Sequence, residues 1–529
     1  MLFGKGDTVV LPPQWEPPHT SPLPGTMDMA AYCRRNHIDM LMRCHGREVR
    51  LYGACNPACL SLPEKIHRRC AAVWAENIAD RTAASLVQAM IVGDDAHLDP
   101  EVRAAWTDTG IVHIMVVSGS NLILVFALVG MLLFWMRHEK YRWVKMLVAL
   151  PLVWLYVVVT GSGPAAVRAG IMFSVVAIGL AANRTDNSLN RLAAAAFVAL
   201  VVEPEWLFAP GMQLSLVAVL SLVLFYSGMV NLLKVKNRFL NMFWRVTLAS
   251  IGAELLTAPL VVYYFHNFPA FFLPANIGVF VFAELVQFLG LFIIAASVWQ
   301  PLAIGAGKLV GWLVFGFNKC VFLMQAATPH QLKSLWISGL GLAGVYMVIF
   351  GTAAIWVWGL RVCIRPLLAT CCLCCAIAIG EEWQVRNRKI LLMYAGSGGA
   401  WVEYVDRDSA CIVYREQNLT DKAQAILDNA NRSLRVRSLQ TDTARHAFIL
   451  GGKRVVLVRQ ASPAGRAFST DVAVVLPGVV QTASAIAASY SPNVVYLMNN
   501  PWHRARKPAK DTFSKAVHYV GAEGGAVIE

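Results

Sequence analysis

Between Gly110 and about Gly380 one apolar run follows another with few breaks. A membrane interior offers no water to backbone N–H and C=O groups, so a run of about 17–25 apolar residues crosses it as a helix. Such runs lie near 112–136, 144–160, 165–182, 190–202, 212–233, 246–264, 272–298, 303–326, 337–360 and 363–379. The fourth is short, and the eighth carries Lys308 and Lys319. The expected fold is a polytopic α-helical membrane core of about ten spans. Composition agrees, with 57% of the 529 residues hydrophobic, 15% charged and a mean hydropathy of +0.52. A soluble chain of this length needs a wetter surface. The flanks read as ordinary globular sequence. The expected division is a small β-rich domain at 1–80, an amphipathic linker helix region at 81–110, the membrane core at 111–380 and an α/β domain at 381–529.

Basic residues cluster in alternate loops. Arg137, Lys140, Arg142 and Lys145 follow the first run, and Arg184 and Arg191 the third. Lys234, Lys236, Arg238 and Arg245 follow the fifth, and Arg361 and Arg365 the ninth. The loops 160–164, 203–210 and 266–271 have no Lys or Arg. Cytoplasmic loops carry an excess of both residues, so odd-numbered spans are expected to end in the cytoplasm. With ten spans, both flanking domains then lie outside. The net charge of +14 sits mostly in the core, where 16 Lys and Arg face 6 Asp and Glu in 111–380. Loop bias accounts for that excess, and an anionic substrate would be favoured by it as well. Residues 1–30 are rich in proline and lack a long apolar stretch, so the first span is expected to act as its own insertion signal.

The N-terminal flank holds Cys33, Cys44, Cys55, Cys59 and Cys70. An outside location permits disulfides, and the Cys55–Cys59 spacing leaves zinc as the other reading. No second tight pair completes a zinc site. Cys371, Cys372, Cys374 and Cys375 fall in the last run, where they read as small packing residues.

Four segments break the pattern of plain membrane helices. The first, 113–121, sets His113, Ser118, Gly119 and Asn121 in an apolar run, with His113 and Val117 on one helix face. Polar groups in hydrocarbon need partners, so this face is expected to look into the bundle, as helix packing or as the lining of a passage. The second, 160–172, ends one helix with Gly161 and Gly163, starts the next with Pro164 and places Arg168 in its first turn. Arg168 either snorkels to the surface or faces phosphate. The third, 210–215, holds Pro210, Gly211, Gln213 and Ser215. The fourth runs from Glu254 through Pro259, Tyr263, Tyr264 and His266 to Phe268, Pro274 and Asn276. Its aromatics suit base stacking or an interfacial belt. Glu254 and Glu284 are the acids inside the runs, which keeps a proton-coupled transporter in view.

On these segments the chain resembles the ComEC-type competence proteins, the inner-membrane DNA channels of natural transformation. His113, Ser118 and Gly119 match the family's His-x-x-x-x-Ser-Gly pattern, and Asn121 stands where the family often has His. Thr160, Gly161, Pro164, Arg168 and Met172 are similar to a second motif. Pro210, Gly211, Gln213, Leu214 and Ser215 are similar to a third, with Met212 replacing an aromatic. Pro274, Ala275 and Asn276 are similar to a fourth. Residues 24–33 resemble a stretch of the family's OB-fold domain, so the resemblance covers about residues 6–380. It implies an OB-like domain at 1–80, partial because Gly6 to Val10 already resembles an OB strand where the family usually has membrane helices first. The chain is therefore expected to start late.

Many members end in a metallo-β-lactamase-like domain. Strand-like runs at 390–394, 410–414, 455–458, 472–476 and 494–498 fit that fold in degenerate form. Two-metal chemistry needs a dense His and Asp motif. Residues 381–529 have none, and His446, His503 and His518 are far apart. The expectation is no metal, no cofactor, no catalytic residue and no nuclease. Gly396 to Gly399 reads as a turn, and the basic run His503 to Lys510 as a solvated loop or a DNA-backbone contact.

The resemblance implies a channel passing single-stranded DNA across a bacterial inner membrane, working with other competence proteins or as a homo-oligomer. Its contact candidates are His113, Ser118, Gly119, Asn121, Arg168, Gln213 and Asn276. The alternatives are a proton-coupled transporter of a smaller anion using Glu254 and Glu284, and a membrane-bound hydrolase.

Overall fold

The computed structural model describes the chain apart from residues 1–7, 11–14, 19, 27, 43–49, 54–60, 116, 118, 133–140, 183–187, 234, 328–334, 357–361, 363, 397, 444–446, 460–468, 478–488, 499–515, 521–524 and 529. In chain order come β1 (Thr8–Val10), α1 (Met29–Arg35), β2 (Arg50–Gly53), α2 (Leu62–Asn77), α3 (Arg81–Val92) and α4 (Pro100–Asp108). Then follow α5 (Gly119–Leu132), α6 (Arg142–Val159), α7 (Pro164–Ala181), α8 (Ser188–Val202), α9 (Pro210–Ser221) and α10 (Ser227–Val230). The last helices of the bundle are α11 (Arg238–Phe265), α12 (Phe272–Ala296), α13 (Gln300–Ala327) and α14 (Gly339–Trp356), and α15 (Ile364–Asn387) leads to the C-terminal part. Two compact units result, one of residues 1–12 and 44–367, the other of 13–43 and 368–529.

Each of the ten apolar runs contains a helix. Among the described residues seven helices are long and apolar enough to cross a membrane: α6, α7, α9 continued through α10, α11, α12, α13 and α15. The remaining apolar runs hold α5, α8 and α14. A π turn at Leu222–Tyr226 joins α9 to α10, where the Ser221 hydroxyl donates to Gly252 O of α11.

The region expected to be a linker is central instead. Residues 83–92 of α3 are all buried. They pack with Trp74 of α2 and Trp106 of α4 against α12 and α13. Backbones approach closely there. A Cβ on Gly290 would come within 2.5 Å of Ile91 Cδ1, and one on Gly307 would strike Asn77 O. The Trp74 indole N–H donates to Gly290 O at 2.8 Å, and that of Trp106 to Asn318 Oδ1 at 2.9 Å. Small residues and paired polar groups suit helices that lie against lipid, because lipid supplies no hydrophobic drive between helices.

The expected 1–80 domain is divided. β1 and β2 pair antiparallel in the first unit. Residues 13–43 belong to the second, where Leu23 is buried among Ile390, Leu392 and Trp401. Gly25, at φ +73°, lies so close to Asn429 O that no side chain fits.

The second unit is built on two five-stranded sheets. The first has the order β12 (Ala526–Ile528), β3 (Lys389–Gly396), β4 (Gly399–Asp406), β5 (Ser409–Arg415), β6 (Ser438–Thr441). The second has the order β11 (Ala516–Tyr519), β10 (Val494–Leu497), β9 (Val472–Val475), β8 (Lys453–Val458), β7 (Ala447–Leu450). All five strand-like runs are strands, and Gly396 and Gly399 pair across the β3–β4 hairpin turn. Leu391, Met393, Val402, Val413, Val455, Leu457, Val472 and Val474 form the core between the sheets. α16 (Asp421–Ser433) joins β5 to its parallel neighbour β6 and covers the outer face of the first sheet with Leu427 and Ala430. Strands covered on both faces read as continuous apolar runs, which is the pattern of β3. Arg435 and Arg437, just after α16, pair with Glu381 and Glu382 in the last turns of α15 at 2.6 and 3.3 Å.

One buried acid interrupts this core. Glu403 of β4 has no exposed surface, and neither carboxylate oxygen has a hydrogen-bond partner. Burial pushes its carboxyl up to about 7, the Asn431 amide alongside pulls the other way, and Asp428 adds to the rise. In the unfolded chain the group titrates near 4.3. The folded state therefore holds the proton over a range where the unfolded state has lost it. Stability falls as pH rises from about 4.5 to 7 and is level above. The loss is about 4 kcal/mol at most. Glu403→Gln should flatten this dependence, leaving pH 4 unchanged and slowing hydrogen exchange of β3–β5 amides at pH 8. Equal exchange in both proteins at pH 8 would refute it.

Candidate functional site

The first polar segment does not form one helix face. Val112–Ile114 is a 3₁₀ turn and α5 starts only at Gly119, so His113 and Val117 are not a turn apart on an α-helix. Ser118 lies outside the described residues. Gly119 is exposed. His113 is exposed, with Nδ1 3.0 Å from Gly110 O. Asn121 is only 3% exposed. Its amide donates to Met90 O at 2.6 Å, and its oxygen accepts from Gln287 Nε2 at 3.2 Å. The Tyr156 hydroxyl donates to Ile91 O at 2.5 Å. The last carbonyls of a helix have no partner within it. Here side chains from α5 and α6 meet two of them at the buried end of α3, and Gly93 N–H meets Ala89 O. Asn121 is thus a brace between helices.

The second and third segments touch. Gly161 and Ser162 turn the chain at φ +82° and +54°, and Pro164 opens α7. Arg168, on the fifth residue of α7, is 8% exposed. Its Nη2 lies 2.9 Å from where a Cβ on Gly211 would stand. Its guanidinium carbon is 6.0 Å from the Trp206 ring centroid, within cation–π range. Its Nε has no hydrogen-bond partner.

The third and fourth segments also touch. Gln213 Nε2 donates to Leu207 O at 2.8 Å, and the Tyr264 hydroxyl donates to Gln213 Oε1 at 2.7 Å. The fourth also lies against the chain just before the first, since a Cβ on Gly110 would come within 2.7 Å of the Pro269 ring. Gly110 has φ +82°, so only glycine suits both its conformation and its neighbour. Asn276 and Glu284 are half-buried, and Glu254 is half-buried with the Thr257 hydroxyl donating to it at 3.4 Å.

The helix-breaking segments therefore converge through Arg168 on Gly211, Tyr264 on Gln213 and Pro269 on Gly110. Three contributors were not singled out in the sequence: Trp206, Tyr156 and Gln287. Only Gln287 carried a signal, as an amide inside the apolar run 272–298. Cys33 and Cys70 are free thiols. Cys44, Cys55 and Cys59 lie outside the described residues, as do His446 and the basic run 503–510. Of the cysteines on α15, Cys371 and Cys374 are half-buried and Cys372 and Cys375 are exposed. Among the described residues no group of three His, Cys, Asp or Glu side chains stands together as metal ligands.

The profile of the Competence protein family matches residues 90–361. ComE operon protein 3 of Bacillus subtilis (strain 168) is 27% identical over 267 residues, which is 49% of this chain and 32% of that protein. The chain thus spans about a third of the length of this relative. No solved structure matches.

Asn121→Leu removes the donor at Met90 O and leaves the Gln287 amide without its acceptor. An unpaired buried polar group costs about 1–3 kcal/mol. The solubilised protein should aggregate at a lower temperature than wild type. An unchanged melting profile would show that Asn121 is no brace.

Proposed function

The chain belongs to the Competence protein family, and from that premise we propose that its membrane core passes single-stranded DNA into the cytoplasm during natural transformation. The observation that carries this reading is that the second, third and fourth polar, helix-breaking segments and the chain just before the first touch one another inside the matched region. The family match begins at the end of α3 and extends past α14, so it covers the bundle and stops short of the sandwich. A shared activity belongs where the match lies. Irregular backbone at membrane depth is tolerated where it lines a cavity or is buried in protein.

In this reading the protein sits in a bacterial inner membrane with ten crossings, made by the seven long apolar helices together with α5, α8 and α14. The loop charges then place both flanking parts outside. Single-stranded DNA is the partner, with further competence proteins or a second copy of the chain completing the apparatus. Two mixed sheets with a helix on an outer face suit a metallo-β-lactamase-like domain that has lost its metal ligands, and we assign it no nuclease activity, no cofactor and no metal.

The half-buried Glu254, on a membrane helix, favours a proton-coupled transporter of a smaller anion as the second reading. Two strains separate them. Deleting the gene should abolish recovery of marked DNA in a transformable host, and normal transformation there would sink the channel. Glu254→Gln combined with Glu284→Gln should leave uptake within about a factor of two of wild type. Loss of uptake in that double variant would favour the proton-linked reading.

A further inference from the structure

Arg168 is a cation that the protein buries and does not neutralise. It is nine-tenths buried, its Nε has no partner, and no carboxylate among the described residues pairs with it. Buried charges in proteins are paired or hydrogen-bonded, because an isolated one is costly. The other groups around Arg168 suit an anion. α9 begins at Pro210, which has no N–H. Met212 and Gln213 N–H bond back to Ala209 O, which leaves Gly211 N–H as the first-turn donor without a backbone partner. No side chain caps this end. The N-terminus of a helix carries partial positive charge and free donors, and so holds anions. Gly211 is exposed, so the space over it is open. Its missing side chain is what lets the guanidinium reach the helix end, since a Cβ would stand 2.9 Å from Nη2. Trp206 supplies a ring face at 6.0 Å.

We propose that Arg168, held against the face of Trp206, and the N–H of Gly211 form a binding site for one phosphate group. The proposal rests on the DNA-passage reading for its physiological ligand, a phosphodiester of the strand. The same chemistry would accept free phosphate. Gly211 is a positioning residue. It holds no charge, and its role is to leave the guanidinium and the helix end side by side.

The test uses the full chain in a maltoside detergent, which carries no phosphate, with two probes: inorganic phosphate followed by phosphorus NMR line broadening, and a labelled oligo-dT. Wild type should broaden the phosphate signal saturably. Arg168→Ala should abolish this, and Gly211→Ala should do the same although every charge remains. Arg168→Lys should retain weakened binding, because it keeps the charge and loses the fork of donors. For oligo-dT, removing one phosphate contact should lower the slope of log affinity against log salt by about 0.7. Equal phosphate broadening in wild type, Arg168→Ala and Gly211→Ala overturns the site. Phosphate binding that depends on Arg168 and Gly211, without any oligo-dT binding, keeps the site and instead removes the DNA-passage reading. Matching melting temperatures for wild type and Arg168→Lys keep a folding defect from mimicking the result.

Discussion

A short helix buried among longer ones must have its end carbonyls met, and α3 sets that requirement for the bundle. It has 12 residues, and ten consecutive ones are buried. Its last residues are buried, and Asn121 and Tyr156 supply donors to Met90 and Ile91. Those two side chains fix where α5 and α6 stand against α3. Gln287 extends the same network to α12. Gly290 and Gly307 then bring α12 and α13 onto α2 and α3 at distances a side chain would forbid. Packing at this closeness replaces the hydrophobic drive that lipid does not provide.

The segments rich in proline and glycine have a common purpose in this arrangement. Each ends or begins a helix inside an apolar context, and each provides a place where another segment can touch backbone. Gly211 admits Arg168, and Gly110 admits Pro269. Pro164 and Pro210 open their helices at N1, where the missing N–H costs nothing. The result is a set of polar contacts joined without a long polar helix face.

Most of the membrane architecture was legible in the sequence. All ten apolar runs contain helices, and all five strand-like runs in the C-terminal part are strands, because both signals come from local pattern alone. The legible part of the site was the set of residue types that break the pattern: Arg168, Gly211, Gln213 and Asn121. Their partners were not legible. Trp206 and Tyr156 look like ordinary interfacial aromatics until the fold sets one beside a guanidinium and the other beneath a helix end. The linker expectation for 81–110 failed for a related reason. The apolar stretch of α3 is too short to read as a span, and only its packing against α12 and α13 makes it central. The split of residues 1–80 was likewise invisible, since the burial of Leu23 beneath α16 is a contact between distant parts of the chain.

By itself, the sequence determined that this chain is a membrane protein with two flanking parts, where its helices break, and which family it resembles. Those follow from hydropathy, from proline and glycine chemistry and from ordered motifs, all local in the chain. The tertiary structure decided which polar residues brace helices and which stay unpaired. Asn121 and Arg168 carry the same sequence signal, a polar group in an apolar run. Asn121 finds a carbonyl and an amide, and Arg168 finds a glycine, a ring face and no counter-charge. That difference depends on neighbours about 30 to 170 residues away in the case of Asn121 and about 40 in the case of Arg168, and no local pattern encodes them.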